Sequence, residues 1–538
     1  MEPNKLLLAM LAVSTLTLTA CGGGGGSSSS PEETPAPIDN AGNTDNAGDT
    51  DNGGNTDNGG DQTSAPQWST PVALTDGSNY TSLELFDGAG NKPMMVTQKH
   101  STLYSREFDG SNWSDETQIS PIFSVNQLDW DVNSNGKAVM AISTQPVNPS
   151  SNFRECALTY FRYDGNHWDS SNSVTARLLR NPNGSYSCSN VGDFNVALAG
   201  DDSLLMTWYR RDLDNSYYQY CGSNNQCATN PEAQANSIGS RFIRGIGLGN
   251  DGKGRVLRFN DTAAGSVLIA GFDTAQGEGL GSSNLASSPS IRSKRASMAV
   301  NDASHSLVVF DEGRNLQARF DNGSSLSPAV TLADDLPALG APILRTYLSD
   351  GSDYGLTLWR EFDNTTKQTP LRSNISDASA FEASSIQHQS EGEIVHYRFS
   401  GDINDNGKAV IAWFGYSVDA NNDREPATLY SRIYDGNRWL DAEIIDNNID
   451  TNDLSPLKMG VYIDNSDEVT LVYTAKKTDQ DIQTEPAPKL FYSRFSTSNS
   501  HIAAARLQNN SDKQGASKEE AEQIKAELEG AGAEVEVK

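Results

Sequence analysis

The chain has 538 residues, of which 36% are hydrophobic and 46 are glycine, a composition that favours many short strands over long helices. Its 70 acidic residues outnumber its 40 basic residues and give a net charge of −30, with no basic run. This charge would repel a bare phosphate backbone, so we exclude nucleic acid as a partner.

Residues 1–21 have the pattern of an export signal. Lys5 precedes an apolar stretch over residues 6–20, which is too short to span a bilayer and runs into Leu-Thr-Ala-Cys, ending at Cys21. This ending resembles the lipobox of bacterial lipoproteins, which implies cleavage before Cys21, its lipidation and membrane anchoring. Gly22, where Asp is absent, resembles lipoproteins sent to the outer membrane; inner-membrane retention, and the periplasmic or surface face, stay open.

Residues 22–66 consist almost entirely of Gly, Ser, Asn, Asp and Thr. They contain too few apolar side chains to offset the entropy of ordering, so we expect a flexible acidic linker.

A structural unit repeats about eight times between Trp68 and Phe495, at intervals of mostly about 50 residues. Its landmark is a turn rich in Asp, Asn and Gly, found near Gly88, Gly136, Asp201, Gly252, Asp302, Gly351, Gly407 and Asn465. This spacing predicts an all-β fold: a β-propeller over residues 67–500 with about eight four-stranded blades, or alternatively seven. Tandem β-sandwiches would rarely keep such a spacing.

Two of these turns share the pattern Asp-x-Asn-x-Asn-Gly, at Asp131–Gly136 and Asp402–Gly407. Between apolar runs, Asn-Gly predicts a hairpin turn with positive φ at both residues. The alternating oxygen groups resemble the front half of a calcium loop, but no acid occupies the twelfth position, so we favour a turn stabilised by its Asn side chain.

A second motif, Tyr-Asp-Gly-x-x-Trp, occurs at Tyr163–Trp168 and Tyr434–Trp439, with a variant at Phe108–Trp113. It resembles the Asp-box repeats of sialidase-like propellers, although Asp and Gly are adjacent here. The resemblance implies a glycan-related propeller, but the arginine triad and Tyr/Glu pair of those enzymes are not identifiable. We predict that the tryptophans pack between blades.

Residues 67–74 match the fourth strand that the last repeat lacks, so we predict that they pair with the final blade and close the ring. Strand order places the short turns on one face and the connections between second and third strands on the other. The long connections, around residues 143–157, 417–428 and 476–489, lie on this second face, which makes it the favoured functional face.

Four cysteines lie within the repeats, and export favours their oxidation. We prefer the pairs Cys156 with Cys188 and Cys221 with Cys227; free thiols or a metal site are the alternative.

Candidate ligand-binding residues follow the second strands of several blades. They are Trp208, Tyr209, Arg210, Arg211, Asp311, Glu312, Trp359, Arg360, Glu361, Lys476 and Lys477. Such aromatic and charged groups could stack on sugars and bind hydroxyl or carboxylate groups, and Glu312 with Glu361 could act as acid and base for glycoside cleavage. Alternatively, the aromatics belong to the core and the charges pair across blades.

After a linker over residues 501–514, the pattern changes to a capped helix followed by a short strand. Residues 515–538 resemble the end of the bacterial large-subunit ribosomal stalk protein, which implies a link to the ribosome. The factor-binding segment of that family has no counterpart upstream of Gly515.

No zinc-hydrolase or serine-hydrolase spacing of histidines is present, and we predict no catalytic residues, metal or cofactor. Our leading hypothesis is an exported, lipid-anchored binding module for carbohydrate or an envelope protein, and we favour a non-enzymatic role. A glycan-processing enzyme and a ribosome-associated protein are the alternatives, and the sequence leaves the oligomeric state open.

Overall fold

The computed structural model describes most of the chain between Gln67 and Ser496. The described ranges are 67–75, 77–88, 92–99, 102–119, 124–145, 156–169, 176–178, 191–210, 215–223, 236–237, 242–260, 266–273, 278–287, 296–334, 336, 343–361, 369–378, 380–388, 393–421, 423–451, 454, 457–478 and 487–496. The predictions for the export signal, the lipidated Cys21, the linkers and the ribosomal-stalk-like tail lie outside these residues.

All regular elements in these ranges are β-strands, and they form eight antiparallel sheets. Blade 1 contains the strands Tyr80–Gly88, Lys92–Lys99, Thr102–Glu107 and Thr117–Gln118, and blade 2 contains Ser124–Val132, Ala138–Gln145, Cys156–Tyr163, Trp168–Asp169 and Ala176–Leu178. Blade 3 contains Val191–Leu198, Leu204–Arg210, Asn215–Cys221 and Asn236–Ser237. Blade 4 contains Phe242–Leu248, Lys253–Asn260, Ser266–Asp273 and Glu278–Ser287.

Blade 5 contains the strands Ala296–Val300, Ser306–Glu312, Asn315–Asp321 and Val330–Ala333, and blade 6 contains Ile343–Leu348, Tyr354–Arg360, Leu371–Asp377, Ala380–Phe381 and Ser385–His388. Blade 7 contains Glu393–Ile403, Ala409–Ser417, Ala427–Tyr434 and Glu443–Ile449. Blade 8 contains Lys458–Ile463, Val469–Ala475, Lys489–Ser496, Gln67–Trp68 and Val72–Ala73. Within the described ranges, no helix is long and apolar enough to cross a bilayer.

The first strands of the sheets form the inner wall of a ring. Each contacts the first strand of the next sheet, and the first strand of blade 8 contacts that of blade 1. The fold is an eight-bladed β-propeller, which confirms the predicted fold class and decides between eight blades and seven.

The predicted closure of the ring is also confirmed. Trp68 pairs with Phe495 and Val72 pairs with Tyr492, so the N-terminal segment supplies the outer strand of blade 8. Ser69 strengthens this junction, because its amide donates to the Arg494 carbonyl at 2.7 Å. Its hydroxyl accepts from the Arg494 amide at 2.9 Å.

The hydrophobic core consists of clusters between neighbouring blades. In the second strand of blade 7, Ile411 and Trp413 pack against blade 6, whereas Val410 and Phe414 pack against blade 8. Successive side chains of a strand point to opposite faces of its sheet, and both faces of a blade are covered. This explains the uninterrupted apolar run over residues 409–414.

The two Asp-x-Asn-x-Asn-Gly turns join blades 2 and 7 to the blades that follow them. In blade 7, the Asp402 carboxylate accepts from the Ile463 amide at 2.9 Å. The Asn404 side chain donates to the Asp464 carbonyl at 2.8 Å, and Asn406 donates to the Asn465 carbonyl at 2.9 Å. We call this set of side-chain bonds the inter-blade clasp. Blade 2 repeats it toward blade 3, from Asp131, Asn133 and Asn135.

The turns themselves are stabilised by their first asparagine, as predicted. The Asn404 side-chain oxygen accepts from the backbone amides of Asn406 and Lys408 at 3.1 and 3.0 Å. The prediction of positive φ at both residues of Asn-Gly was wrong for the asparagine. Only Gly136 and Gly407 have positive φ, at 67° and 73°, because the loop is longer than a two-residue turn and closes from Asn404 to Lys408.

The tryptophans of the second motif pack between blades, as predicted. Trp113 of blade 1 contacts Tyr492 of blade 8 edge to face, with ring centroids 6.3 Å apart. The tyrosine of the motif also reaches the preceding blade, since Tyr434 donates to Glu382 at 2.5 Å and Tyr163 donates to Glu107 at 2.9 Å.

Candidate functional site

The described aromatic residues among the predicted ligand-binding residues lie in blade cores. The side chains of Trp208 and Trp359 are fully buried, and Tyr209 is 8% exposed. Trp208 packs toward blade 2, and Trp359 packs toward blade 5 and donates to Glu361 at 2.9 Å. Their rings leave no surface on which a sugar could stack.

The charged residues of that set are distributed over several blades and engage protein groups. Arg360 donates to the Val395 carbonyl at 2.6 Å, and Glu361 lies 3.1 Å from Arg372. Lys477 pairs with Asp446, and Asp311 is buried.

The remaining members of the set differ in exposure. Glu312 is exposed and Lys476 is half-buried. The side chain of Arg210 and all of Arg211 lie outside the described residues. The structure does not bring the described members together in one pocket.

Of the cysteines, Cys221 is fully buried and disulfide-bonded. The side chains of Cys156, Cys188 and Cys227 lie outside the described residues, so both pairings stay predictions.

The described part of the ring encloses a central cavity of about 520 Å³. Its wall consists of the first strands of blades 1, 2 and 4 to 8 and the turns that follow some of them. Each first strand is an edge strand, paired only with the second strand of its own blade. The cavity wall therefore combines backbone edges with side chains from seven blades.

Charged side chains divide this wall into two ends. Each first strand runs from the face with the long connections to the face with the short turns. The basic side chains lie earlier in their strands, at Arg345, Arg398 and Lys458. Most carboxyl groups of the wall lie in the last two residues of a first strand or just beyond its end. These carboxyl groups are Asp87, Asp131, Asp302, Asp350 and Asp402.

The two ends are well separated along the strands. Arg398 and Asp402 are four residues apart in one strand, which corresponds to a rise of about 13 Å. We call these regions the basic end and the acidic end of the cavity.

Burial and mutual repulsion change the ionisation of the acidic end. Burial raises the pKa of Asp131 and of Asp402 to about 7, despite the hydrogen bonds that each accepts from the next blade. Burial also raises the pKa of Asp87 to about 6, against the hydrogen bond from Tyr462. The pKa of Asp350 is raised well above its usual range, first because the surrounding protein groups of the ring desolvate it, although it retains surface exposed to the cavity, and then by the neighbouring carboxylates.

Arg345 and Asp350 have the most accessible charged side chains of the wall. Both are exposed although they belong to the inner strand of blade 6 and its turn, because they border the cavity. The Arg345 guanidinium lies 5.8 Å from the centre of the Phe399 ring. Burial raises the pKa of nearby Glu84, against a hydrogen bond from Trp130 and the charges of Arg345 and Arg398.

Further polar atoms of the wall retain hydrogen-bonding capacity. Ser82, Asp87 and Thr346 each have a buried side-chain oxygen without a hydrogen-bond partner in the described structure. Buried polar atoms are rarely left unpaired, so a polar occupant suits this wall better than an apolar one.

Sequence reasoning missed the cavity residues. The Asp-x-Asn-x-Asn-Gly motif contained Asp131 and Asp402, but their place on the innermost strand became visible only with the sheet order. Among the described residues, no group of three His, Cys, Asp or Glu side chains is arranged to hold a metal ion.

No family model and no curated protein matches the chain. Among solved structures, it is similar to the β-propeller domain of the Trilobed protease from Pyrococcus furiosus, with 11% identity over 70% of this chain and 95% of that one, and a TM-score of 0.37. The polysaccharide lyase Uly1 gives 10% identity, coverage of 80% and 99%, and a TM-score of 0.35.

A sialidase-like fold is also among the distant neighbours. The NanB sialidase from Streptococcus pneumoniae gives 10% identity over 79% of this chain and 69% of that one, with a TM-score of 0.31. Likeness at this level carries no argument about activity or ligand.

Proposed function

We propose that this protein is an exported, lipid-anchored binding module and that its ligand site is the central cavity. The observation that carries the proposal is the exposure of Arg345 and Asp350 toward a cavity of about 520 Å³. This volume falls in the range of small-molecule sites, which is roughly 300–1,000 Å³. The ligand is a carbohydrate or a segment of an envelope protein.

The cavity suits binding because its polar groups are held by a rigid scaffold. The inter-blade clasp fixes the ends of the first strands of blades 2 and 7, and the first strand of blade 7 also packs against the core shared with blade 6. Preorganised polar groups lose little freedom when a ligand binds.

The lipid anchor is inferred from the lipobox resemblance at Cys21, and the outer membrane is its proposed destination. Radiolabelled palmitate in a bacterial host tests this part: the chain should be labelled, and Cys21→Ser should abolish labelling and release the protein from the membrane. Labelling of Cys21→Ser to the same extent would contradict the assignment.

Binding is tested with the full chain on an array of glycans and short peptides. We expect at least one ligand class to bind, and Arg345→Ala to weaken it. Arg438→Ala is the matched control, since the Arg438 side chain is 79% exposed and forms a blade-7 turn contact with Asp435. Equal loss in both variants, or no binding in either class, would refute the cavity as the site.

The same array separates binding from catalysis. A hydrolysis or lyase product that disappears in Asp350→Asn would favour the glycan-processing alternative, because raised carboxyl pKa values suit proton donors near neutral pH. Binding without turnover favours the module. A ribosomal role, suggested only by residues 515–538, would instead require co-sedimentation with ribosomes.

A further inference from the structure

The charge pattern of the cavity restricts which ligands can enter it. The acidic end lies near the short-turn face and the basic end lies toward the long connections, about 13 Å apart along the strand of blade 7. A ligand that spans the cavity therefore meets a cluster of carboxyl groups at one end and, at the other, the guanidinium groups of Arg345 and Arg398 beside Glu84.

We infer that the ligand is an extended peptide of three or four residues, bound with its terminal ammonium at Asp350 and its terminal carboxylate at Arg345. This inference rests on the proposed function and specifies its ligand. Arg345 and Asp350 are five positions apart in the chain, at most about 17 Å of extended backbone. Three or four extended residues separate their own terminal charges by about 10–14 Å, and the two side chains can reach across the difference. A single amino acid is too short to reach both ends.

The wall also matches a peptide backbone. The first strands are edge strands whose inner side faces the cavity, and extended peptides bind such edges through main-chain hydrogen bonds. The amides of Gly401 and Ile463 are already bonded to side chains of neighbouring blades, so other positions along the strands carry this role. The unpartnered oxygens of Ser82 and Thr346 add polar contacts midway.

The acidic end favours an ammonium group over a neutral group for an electrostatic reason. Desolvation by burial is the first cause that disfavours ionisation of Asp350, and the like charges of Asp302, Asp402, Asp131 and Asp87 add to it. A bound ammonium reverses this effect and lowers the carboxyl pKa. Binding should therefore release protons, which titration calorimetry in two buffers of different ionisation enthalpy measures directly.

The experiment compares the peptide Gly-Ala-Ala-Gly in four forms: free, N-acetylated, C-amidated, and blocked at both ends. Each is titrated calorimetrically into the full chain and into two variants, Asp350→Asn and Arg345→Gln. Loss of a charged hydrogen bond typically costs about tenfold to a hundredfold in affinity. We expect each single block to weaken binding by about tenfold or more in the unmodified protein.

The variants assign each block to one end. Acetylation should have no further effect in Asp350→Asn, and amidation should have no further effect in Arg345→Gln, whereas the opposite block should still weaken binding. Arg438→Gln should behave as the unmodified protein. Melting curves of the variants confirm folding, and Arg345→Lys should recover part of the carboxylate preference.

Three results would overturn the inference: indifference to both blocks, effects of the blocks that do not follow the variants, or binding of glycans with none of peptides. The last outcome would leave the proposed function intact with a carbohydrate ligand. The absence of both glycan and peptide binding would instead refute the proposed function itself.

Discussion

The inter-blade clasp predicts that Asn404 stabilises the ring far more than its neighbour Asn406. Asn404 is 4% exposed and makes four side-chain hydrogen bonds. Two are donated to blade 8, to the Asp464 carbonyl at 2.8 Å and the Asp467 carboxylate at 3.0 Å. The other two are accepted from its own turn.

Replacement by alanine removes all four bonds and leaves their partly buried partner groups without them. At about 1 kcal/mol per bond, Asn404→Ala should lower the free energy of unfolding by about 3–4 kcal/mol. Asn406→Ala removes one bond from an exposed side chain and should cost at most about 1 kcal/mol. Asn406→Ala is the matched control, because it removes the same three side-chain heavy atoms from an asparagine of the same turn.

Urea unfolding at neutral pH, followed by tryptophan fluorescence, measures both variants. Asn404→Asp adds a test of direction, because it retains the two accepted bonds, loses both donors and places a carboxylate beside Asp467. At pH 7, Asn404→Asp should be at least as destabilised as Asn404→Ala. It should recover part of its stability on acidification, when the new carboxylate is protonated. Equal stability of Asn404→Ala and Asn406→Ala would refute the clasp as a stabilising element.

Three further predictions follow from other parts of the ring. Removal of residues 67–73 should lower the free energy of unfolding by about 4–6 kcal/mol, because strand pairing and the buried side chain of Val72 are lost. Removal of residues 40–60, the control, should not lower it. An unchanged melting curve after the first deletion would contradict the closure of the ring. As pH rises from 5 to 8, the free energy of unfolding of Asp402→Asn should increase by about 1–3 kcal/mol relative to that of the unmodified protein. The reason is that the Asp402 carboxyl, with its pKa raised from 3.8 to about 7, stabilises the fold at low pH and loses this contribution as pH rises through 7. A difference in chemical unfolding that does not change with pH would contradict this prediction. Gly247→Ala should lower the free energy of unfolding by about 1–3 kcal/mol, because the new Cβ would lie 2.4 Å from the Cβ of Val300 in the next blade. Gly245→Ala, whose Cβ would lie 3.5 Å from the Cβ of Met298, should lower it clearly less in the same urea assay.

The repeat made the fold predictable from sequence, because periodic turns and apolar strands are local signals. The turn landmarks, the closing segment and the Asn-stabilised turns could all be located without knowing any long-range contact. The clasp could not, since Asn404 and Asp467 are 63 positions apart and only the ring places them together. The motif was visible, but its partner lay in the next repeat.

The candidate site was less predictable because sequence alone does not show which strand faces the channel. Trp208 and Trp359 lie within second strands and not after them as predicted, and both faces of a second strand are covered by neighbouring blades. Arg345 belongs to no shared motif, and Asp350 is one of many acidic residues in the landmark turns, here beside Gly351. Their importance depends on the first strand being innermost.

The pairing of the N-terminal segment with the last blade also determines when the protein can finish folding. Ser69 and Ser493 meet across 424 positions of chain, and closing a flexible loop of that length costs about 5 kcal/mol of entropy. Seven blades can form from contacts within and between adjacent repeats, but the eighth needs both ends of the ring at once. Its formation is therefore the step with the highest contact order and should be the slowest. Until it occurs, the strand Lys489–Ser496 presents an open edge, so this blade is where an unfinished chain is most exposed to pairing with another.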